Sequence, residues 1–245
     1  MKKILLFFVL ILIIFSCFKN DSSSNESYDN IGKGGSMARF TILNNYLYTV
    51  DDGSLNVFSI VENNKPVFLN KVYIGFQIET LFAYDNNLFI GSQSGMFIYS
   101  LDNPEIPIQE SSVEHFTACD PVVTDGITAY VTLHSESTCG NDLNVLEIYN
   151  VTDIQNPALL QTRNMISPKG LGLYNDYLIV CDDEVKIFDV SEPNAMTFVK
   201  SIDIQGFDVI IQNNHLIVVG ENGLYQYSLD NNDIENLTYL STIDY

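Results

Sequence analysis

A repeat of about forty residues constrains this chain more than any other feature. Apolar strings recur as Leu47-Tyr48-Thr49-Val50, Leu88-Phe89-Ile90-Gly91, Ala129-Tyr130-Val131-Thr132, Leu178-Ile179-Val180-Cys181 and Leu216-Ile217-Val218-Val219. Their first residues lie 41, 41, 49 and 38 positions apart. That period is the length of one four-stranded propeller blade. The rest of the unit stays in phase. A turn of Asn or Asp precedes each string: Asn44-Asn45, Asp85-Asn86, Asp125-Gly126, Asn175-Asp176 and Asn213-Asn214. These residues tolerate the positive φ of tight hairpins. Alternating strands follow, as in Leu55 to Ile60 and Val185 to Val190. Pro66, Pro104, Pro157 and Pro193 mark the next turn in four of the five units, where a residue without an N–H costs no ladder hydrogen bond. No long segment has helical periodicity. The expected fold is all-β, a propeller of about five four-stranded blades over residues 37–245. The chain begins and ends in phase with the repeat, so no swapped strand laces the last blade to the first, and closure rests on side-by-side packing of the terminal blades.

Ahead of the repeat, Lys2 and Lys3 precede twelve apolar residues, Ile4 to Phe15. A bilayer-spanning helix needs roughly 20, so this run reads as a secretory signal over residues 1–16. Ser16-Cys17 resembles the lipobox of bacterial lipoproteins, which makes Cys17 the expected lipidation site. Residues 17–36, rich in Asn, Asp, Ser and Gly, read as a tether that buries too little apolar surface to order itself. The resulting expectation is a lipid-anchored protein of the cell envelope, held at the outer membrane on its periplasmic or outer side, with the membrane as its first partner.

The formal net charge is −20, and loss of Lys2 and Lys3 makes it two units more negative. Such a body is repelled by phosphate backbones, which excludes nucleic acid as a partner. In an oxidising compartment Cys119 and Cys139, 20 residues apart, can form a disulfide worth roughly 3 kcal/mol. The third unit is longer than the others, and its excess, His134 to Asp142, contains Cys139. Cys181 sits in an apolar run and reads as a small buried hydrophobe.

Several strings resemble the LVIVD-repeat family and its lipoprotein members of the Bacteroidota type. They are Leu47 to Asp51, Leu178 to Asp182, Ala118 to Leu133, Gly170 to Pro193 and Phe207 to Leu229. The resemblance covers nearly all of Met37 to Tyr245, with a departure at His134. It implies a β-propeller in the envelope and supplies no catalytic residues. Cys119 and Cys139 match a cysteine pair common in those members.

The sequence offers no assembled chemistry. His115, His134 and His215 fall in different units without ligand spacing, so no metal or other cofactor is expected. Calcium is the ion that the acidic clusters Asp51-Asp52, Asp182-Asp183-Glu184 and Asp230/Asp233 would suit, yet none has the spacing of a known calcium loop. No nucleophile lies near an evident base. The site argument is positional. Arg39, Glu79, Asp120, Lys169 and Asp208 stand eight or nine residues before each second strand, where inner strands ring the mouth of a propeller channel. A mixed-charge ring suits a polar ligand or peptide; its bland counterpart is a self-satisfied set of salt bridges. The expected function is a non-enzymatic binding or scaffolding module that presents its propeller face to an envelope protein, a peptide or a glycan. The alternative is a hydrolase or lactonase-like enzyme with its site at the channel mouth.

Overall fold

The computed structural model describes residues 31–32, 34–62, 65–114, 121–134, 143–230 and 232–245. Cys17, Cys119, Asp120 and Cys139 lie outside the described residues. The chain folds into five antiparallel sheets, each built of consecutive strands. The first blade holds β1 (Ile31–Gly32), β2 (Phe40–Leu43), β3 (Tyr46–Val50), β4 (Ser54–Ser59) and β5 (Val67–Tyr73). The second holds β6 (Ile78–Tyr84), β7 (Asn87–Ser92), β8 (Gly95–Ser100) and β9 (Ile108–Glu114). The third holds β10 (Val122–Thr124), β11 (Thr128–Leu133), β12 (Val145–Asn150) and β13 (Ala158–Asn164). The fourth holds β14 (Leu171–Tyr174), β15 (Tyr177–Cys181), β16 (Val185–Asp189) and β17 (Thr197–Ile202). The fifth holds β18 (Gly206–Gln212), β19 (His215–Gly220), β20 (Gly223–Ser228) and β21 (Thr238–Asp244). The result is a five-bladed propeller. Strands β2, β6, β10, β14 and β18 are innermost and neighbour one another in that order. One feature exceeds the repeat: β1 adds a fifth strand to the axis-side edge of β2.

Local chemistry explains the regularity. The turn between first and second strands carries a positive-φ residue in every blade: Asn44 (54°), Asp85 (48°), Gly126 (88°), Asn175 (50°) and Asn213 (53°). Short polar side chains and glycine adopt this conformation at low cost. The same turn then anchors the exit of the third strand. Ile60, Leu101, Val151, Val190 and Leu229 donate their N–H groups to Asn45, Asn86, Ile127, Asp176 and Asn214, each at 2.8 Å. Between third and fourth strands every blade has a bulge at one level, before Phe58, Tyr99, Tyr149, Phe188 and Tyr227. A bulge sharpens strand twist, and an aromatic residue follows it each time. Three of these rings meet an aromatic on the outer strand edge-on: Phe58 with Phe68, Phe188 with Phe198 and Tyr227 with Tyr239, at 5.6–5.9 Å between centroids.

The core is segmented. Four buried clusters each straddle one pair of consecutive blades. In the second strands, the first and third residues face the preceding blade. Leu88, Ala129, Leu178 and Leu216 are fully buried there, as are Ile90, Val131, Val180 and Val218. The second residue faces the following blade, so Tyr48, Phe89, Tyr130 and Ile179 are buried. Polar ties repeat the pattern outside the core. Asn70, Ser111, Arg163 and Lys200, on the outer strands of blades one to four, donate to the backbone carbonyls of Glu105, Ile154, Met196 and Glu235 in the next blade.

The pattern stops between the fifth and first blades. Among the described residues no buried cluster spans that junction. Leu47, Thr49 and Phe58 on the first blade are only half-buried, as are Ile217, Val219 and Leu224 on the fifth, although their counterparts inside the array are buried. The terminal blades therefore meet at their inner ends and form a seam further out, in place of the side-by-side packing expected from the sequence. The repeat supplies its own control for this seam. Leu88→Ala empties a sealed inter-blade core and should lower the unfolding free energy by about 3 kcal/mol. Leu47→Ala, at the equivalent position on the seam, should cost about 1 kcal/mol. Urea unfolding midpoints compare the two, and equal costs would show that the seam is packed like the other junctions.

Candidate functional site

The first strands run from the channel mouth towards the Asn- and Asp-bearing turns, so the residues ahead of them gather at the mouth. Four of the five candidates are described, and they fall in two registers. Arg39 lies opposite Val50, and Asp208 opposite Val219. Thr80 and Gly170 occupy this same level, opposite Gly91 and Cys181. Glu79 and Lys169 stand one residue earlier, level with Ala38 and Phe207. Arg39 and Asp208 stand eight residues before their second strands and Glu79 and Lys169 nine, and bulges in β6 and β18 make Glu79 and Phe207 inserted residues. A one-residue slip exchanges the two faces of a strand, so these side chains do not form one ring.

Asp208 is the most constrained of the set. Its carboxylate accepts hydrogen bonds from Ser36 Oγ (3.1 Å), the Met37 N–H (3.1 Å) and the Val209 N–H (2.9 Å). Gly35 lies on one side of it and Gly170 on the other, and neither position has room for a Cβ beside that carboxylate. Ser36 is itself buried, and its Oγ accepts the Leu171 N–H at 2.8 Å. The segment from Gly35 to Met37 thus closes the mouth and ties blade one to blades four and five. On the other side of the mouth, Ala38 accepts the Leu81 N–H of blade two at 2.8 Å. Within the segment expected to be tether, residues 31–32 form β1 and residues 35–36 belong to this plug. The string Gly34-Gly35-Ser36 was the available signal, since small residues there permit a close approach to Asp208.

The other charges are engaged locally. Arg39 donates to Asp52 Oδ1 (3.3 Å) and to the Ile78 carbonyl (3.0 Å). The Lys169 ammonium lies 5.1 Å from the centre of the Phe207 ring. Burial raises the Glu79 carboxyl above its ordinary range, opposed by a hydrogen bond from Gln93 and the charge of Arg39. The acidic clusters are used in the same local way. Asp51 accepts from the Gly53 and Ser54 N–H groups and from Lys71, whose hydrogen bond is the main cause holding its carboxyl well below the usual range. The buried Asp182 accepts from the Ile166 and Ser167 N–H groups and from Lys186. Asp230 accepts the Asn232 N–H of its own turn. Among the described residues no group of three or more His, Cys, Asp or Glu side chains is placed to hold a metal ion.

A cavity of about 370 Å³ lies off the axis, where blade three meets blade four. Arg163, Met165, Ile166, Lys186, Phe188 and Phe198 line it, and the Arg163 guanidinium sits 4.6 Å over the Phe188 ring. The mouth face also exposes apolar side chains, among them Met37, Tyr73, Phe76, Ile166 and Phe207. Of the seven described Lys and Arg residues, Arg39, Lys71, Arg163, Lys169 and Lys186 lie in this half of the molecule. The opposite face is built of acidic turns, including Asp85, Asp125, Asp153, Asp176, Asp189 and Asp233. No helix among the described residues is long and apolar enough to cross a membrane.

Comparison with known proteins places the fold alone. No family model matches the chain, and no curated protein matches it significantly. Among solved structures it is similar to a protein from Lactobacillus plantarum, with a TM-score of 0.65 and 13% identity over 81% of this chain and 67% of that one. It is also similar to a chain of the mitotic checkpoint complex, with a TM-score of 0.59 and 16% identity over 82% and 63%. The N-terminal domain of Nup159 aligns with a TM-score of 0.50 and 9% identity over 88% and 61%. The matched region spans about two thirds or less of the length of those chains.

The Asp208 niche has a pH signature. Burial pushes its carboxyl up to about 6, against hydrogen bonds that lower it, whereas an unfolded Asp titrates near 3.9. The folded state therefore holds the proton more tightly. The stability Asp208 contributes is fully present below about pH 4 and is lost as pH rises through about 6. The unfolding free energy of the native chain minus that of Asp208→Asn should shift in favour of the native chain by about 2–3 kcal/mol between pH 7 and pH 4. A difference that stays flat across denaturant titrations at pH 7, 5.5 and 4 would contradict the buried niche.

Proposed function

We propose that this chain is an envelope lipoprotein, lipidated at Cys17 and related to the LVIVD-repeat propellers, whose body is a non-enzymatic binding module. Its partner is a protein, peptide or glycan met at the mouth face. The observation that carries this reading is how the mouth is finished. Its charged side chains are engaged locally, by the chain's own backbone and by neighbouring side chains. The same face exposes Met37, Tyr73, Phe76 and Phe207, and Arg39 and Lys169 lie at its mouth. Aromatic residues, Met and Arg are the residue types enriched in macromolecular interfaces. The alternative expected from the sequence, a hydrolase at the channel mouth, has less support, because Ser36 and Met37 cover the Asp208 carboxylate.

Photo-crosslinking in the native envelope tests this. A photoreactive phenylalanine analogue replacing Phe76 should capture one discrete partner, and the same analogue at Ile127, on the opposite face, should not. Phe207→Ser should weaken that capture without altering the β-sheet circular dichroism. Capture from Ile127 in preference to Phe76 would move the binding surface to the other face and refute the reading.

A further inference from the structure

We infer that the chain leaves the propeller along its axis at the face of the acidic turns, so that the anchored protein directs its mouth face away from the membrane. This rests on the lipid-anchor reading of Cys17 and adds a direction to it. The direction comes from β1. It pairs antiparallel with β2, with Ile31 opposite Leu43 and Gly32 opposite Ile42. Leu43 is the end of β2 that leads into the Asn44-Asn45 turn. The chain therefore enters at the level of the acidic turns, runs along the axis-side edge of blade one, and reaches the mouth at Gly35. There the bonds from Ser36 and Met37 to Asp208 and from Leu171 to Ser36 fix it between blades four and five.

Chain length keeps that direction. Residues 18–30 separate Cys17 from β1. At 3.3–3.6 Å per residue they reach at most about 45 Å. A compact domain of this size has a radius of gyration of about 17 Å and an outer radius of about 22 Å, so the surface path from pole to pole is about 70 Å. A tether leaving at one pole passes the equator and falls short of the other. The lipid therefore cannot draw the mouth face flat against the bilayer, and Phe76, Phe207, Arg39 and Lys169 stand on the far side of the body.

The chain contains no tryptophan, which gives a direct readout. The full lipidated chain is prepared as single-tryptophan variants: Phe76→Trp on the mouth face, where the native side chain is 77% exposed, and Ile127→Trp on the turn face, where it is 62% exposed. Val61→Trp, also on the turn face and exposed, replaces Ile127→Trp should that variant fail to fold. Each is bound to phosphatidylethanolamine and phosphatidylglycerol vesicles that carry a dansyl headgroup acceptor. Energy transfer should be several-fold stronger from the turn face than from the mouth face. Equal transfer, or stronger transfer from Phe76→Trp, in protein that floats with the vesicles would overturn the orientation and leave the anchor intact. Failure of the lipidated preparation to float would sink the anchor reading, and this inference with it.

Discussion

The first and last blades of this propeller are held together by one carboxylate. Asp208 is the point at which the segment ahead of β2 bonds to blade five, and among the described residues no other hydrogen bond joins those blades. The other junctions each combine a buried apolar cluster with a polar tie at the outer strands. Their stabilisation scales with the apolar area removed from water and is spread over many residues. The fifth junction instead concentrates its cohesion in a niche without spare volume, between Gly35 and Gly170. Such a contact either forms completely or is lost, whereas a broad apolar face tolerates loosening.

This asymmetry follows from repeat physics. In an array whose units bury their faces only against neighbours, each interior blade gains two interfaces and each terminal blade gains one. A ring removes the ends only if the last interface resembles the rest. Here Leu47 and Thr49 occupy positions that are fully buried in blades two to five, and Ile217 occupies one that is fully buried in blades one to four. They kept the apolar or β-branched chemistry of the repeat without acquiring the burial. The seam is accordingly where local opening should cost least, and the Asp208 staple sets how far such opening can travel towards the axis.

Most of the fold was legible in the chain because it is written in short-range chemistry. The Asn and Asp turns, the alternating third strands and the period of the second strands each act within a few residues, and each is repeated five times. The candidate site was legible only in part. Counting back eight or nine residues from the second strands identified the charged positions at the mouth, and it could not register the bulges that insert Glu79 in β6 and Phe207 in β18. A bulge there depends on how an inner strand meets its neighbours across the axis, which is not a local property of the sequence. Ser36 was hidden for a related reason. A serine after two glycines reads as tether, and its partners Leu171 and Asp208 lie far along the chain.

The places where the repeat is broken are thus the places where this propeller differs from a generic array: the added strand β1, the plug at Gly35 to Met37, the two bulged inner strands and the unsealed seam. The plug and the two bulges lie at the mouth, β1 leads to them along the axis from the opposite end, and the seam opens outward beside them. A segment that both occupies the axis and supplies the closing bond couples the path of the chain to the integrity of the ring. Withdrawing it would remove the Ser36 and Met37 donors from Asp208 and leave a largely buried carboxylate without two of its partners, at a cost on the order of 1–3 kcal/mol for each lost donor. The ring and the route by which the chain leaves it are therefore one structural unit, and the mouth face keeps its arrangement only while the segment stays threaded.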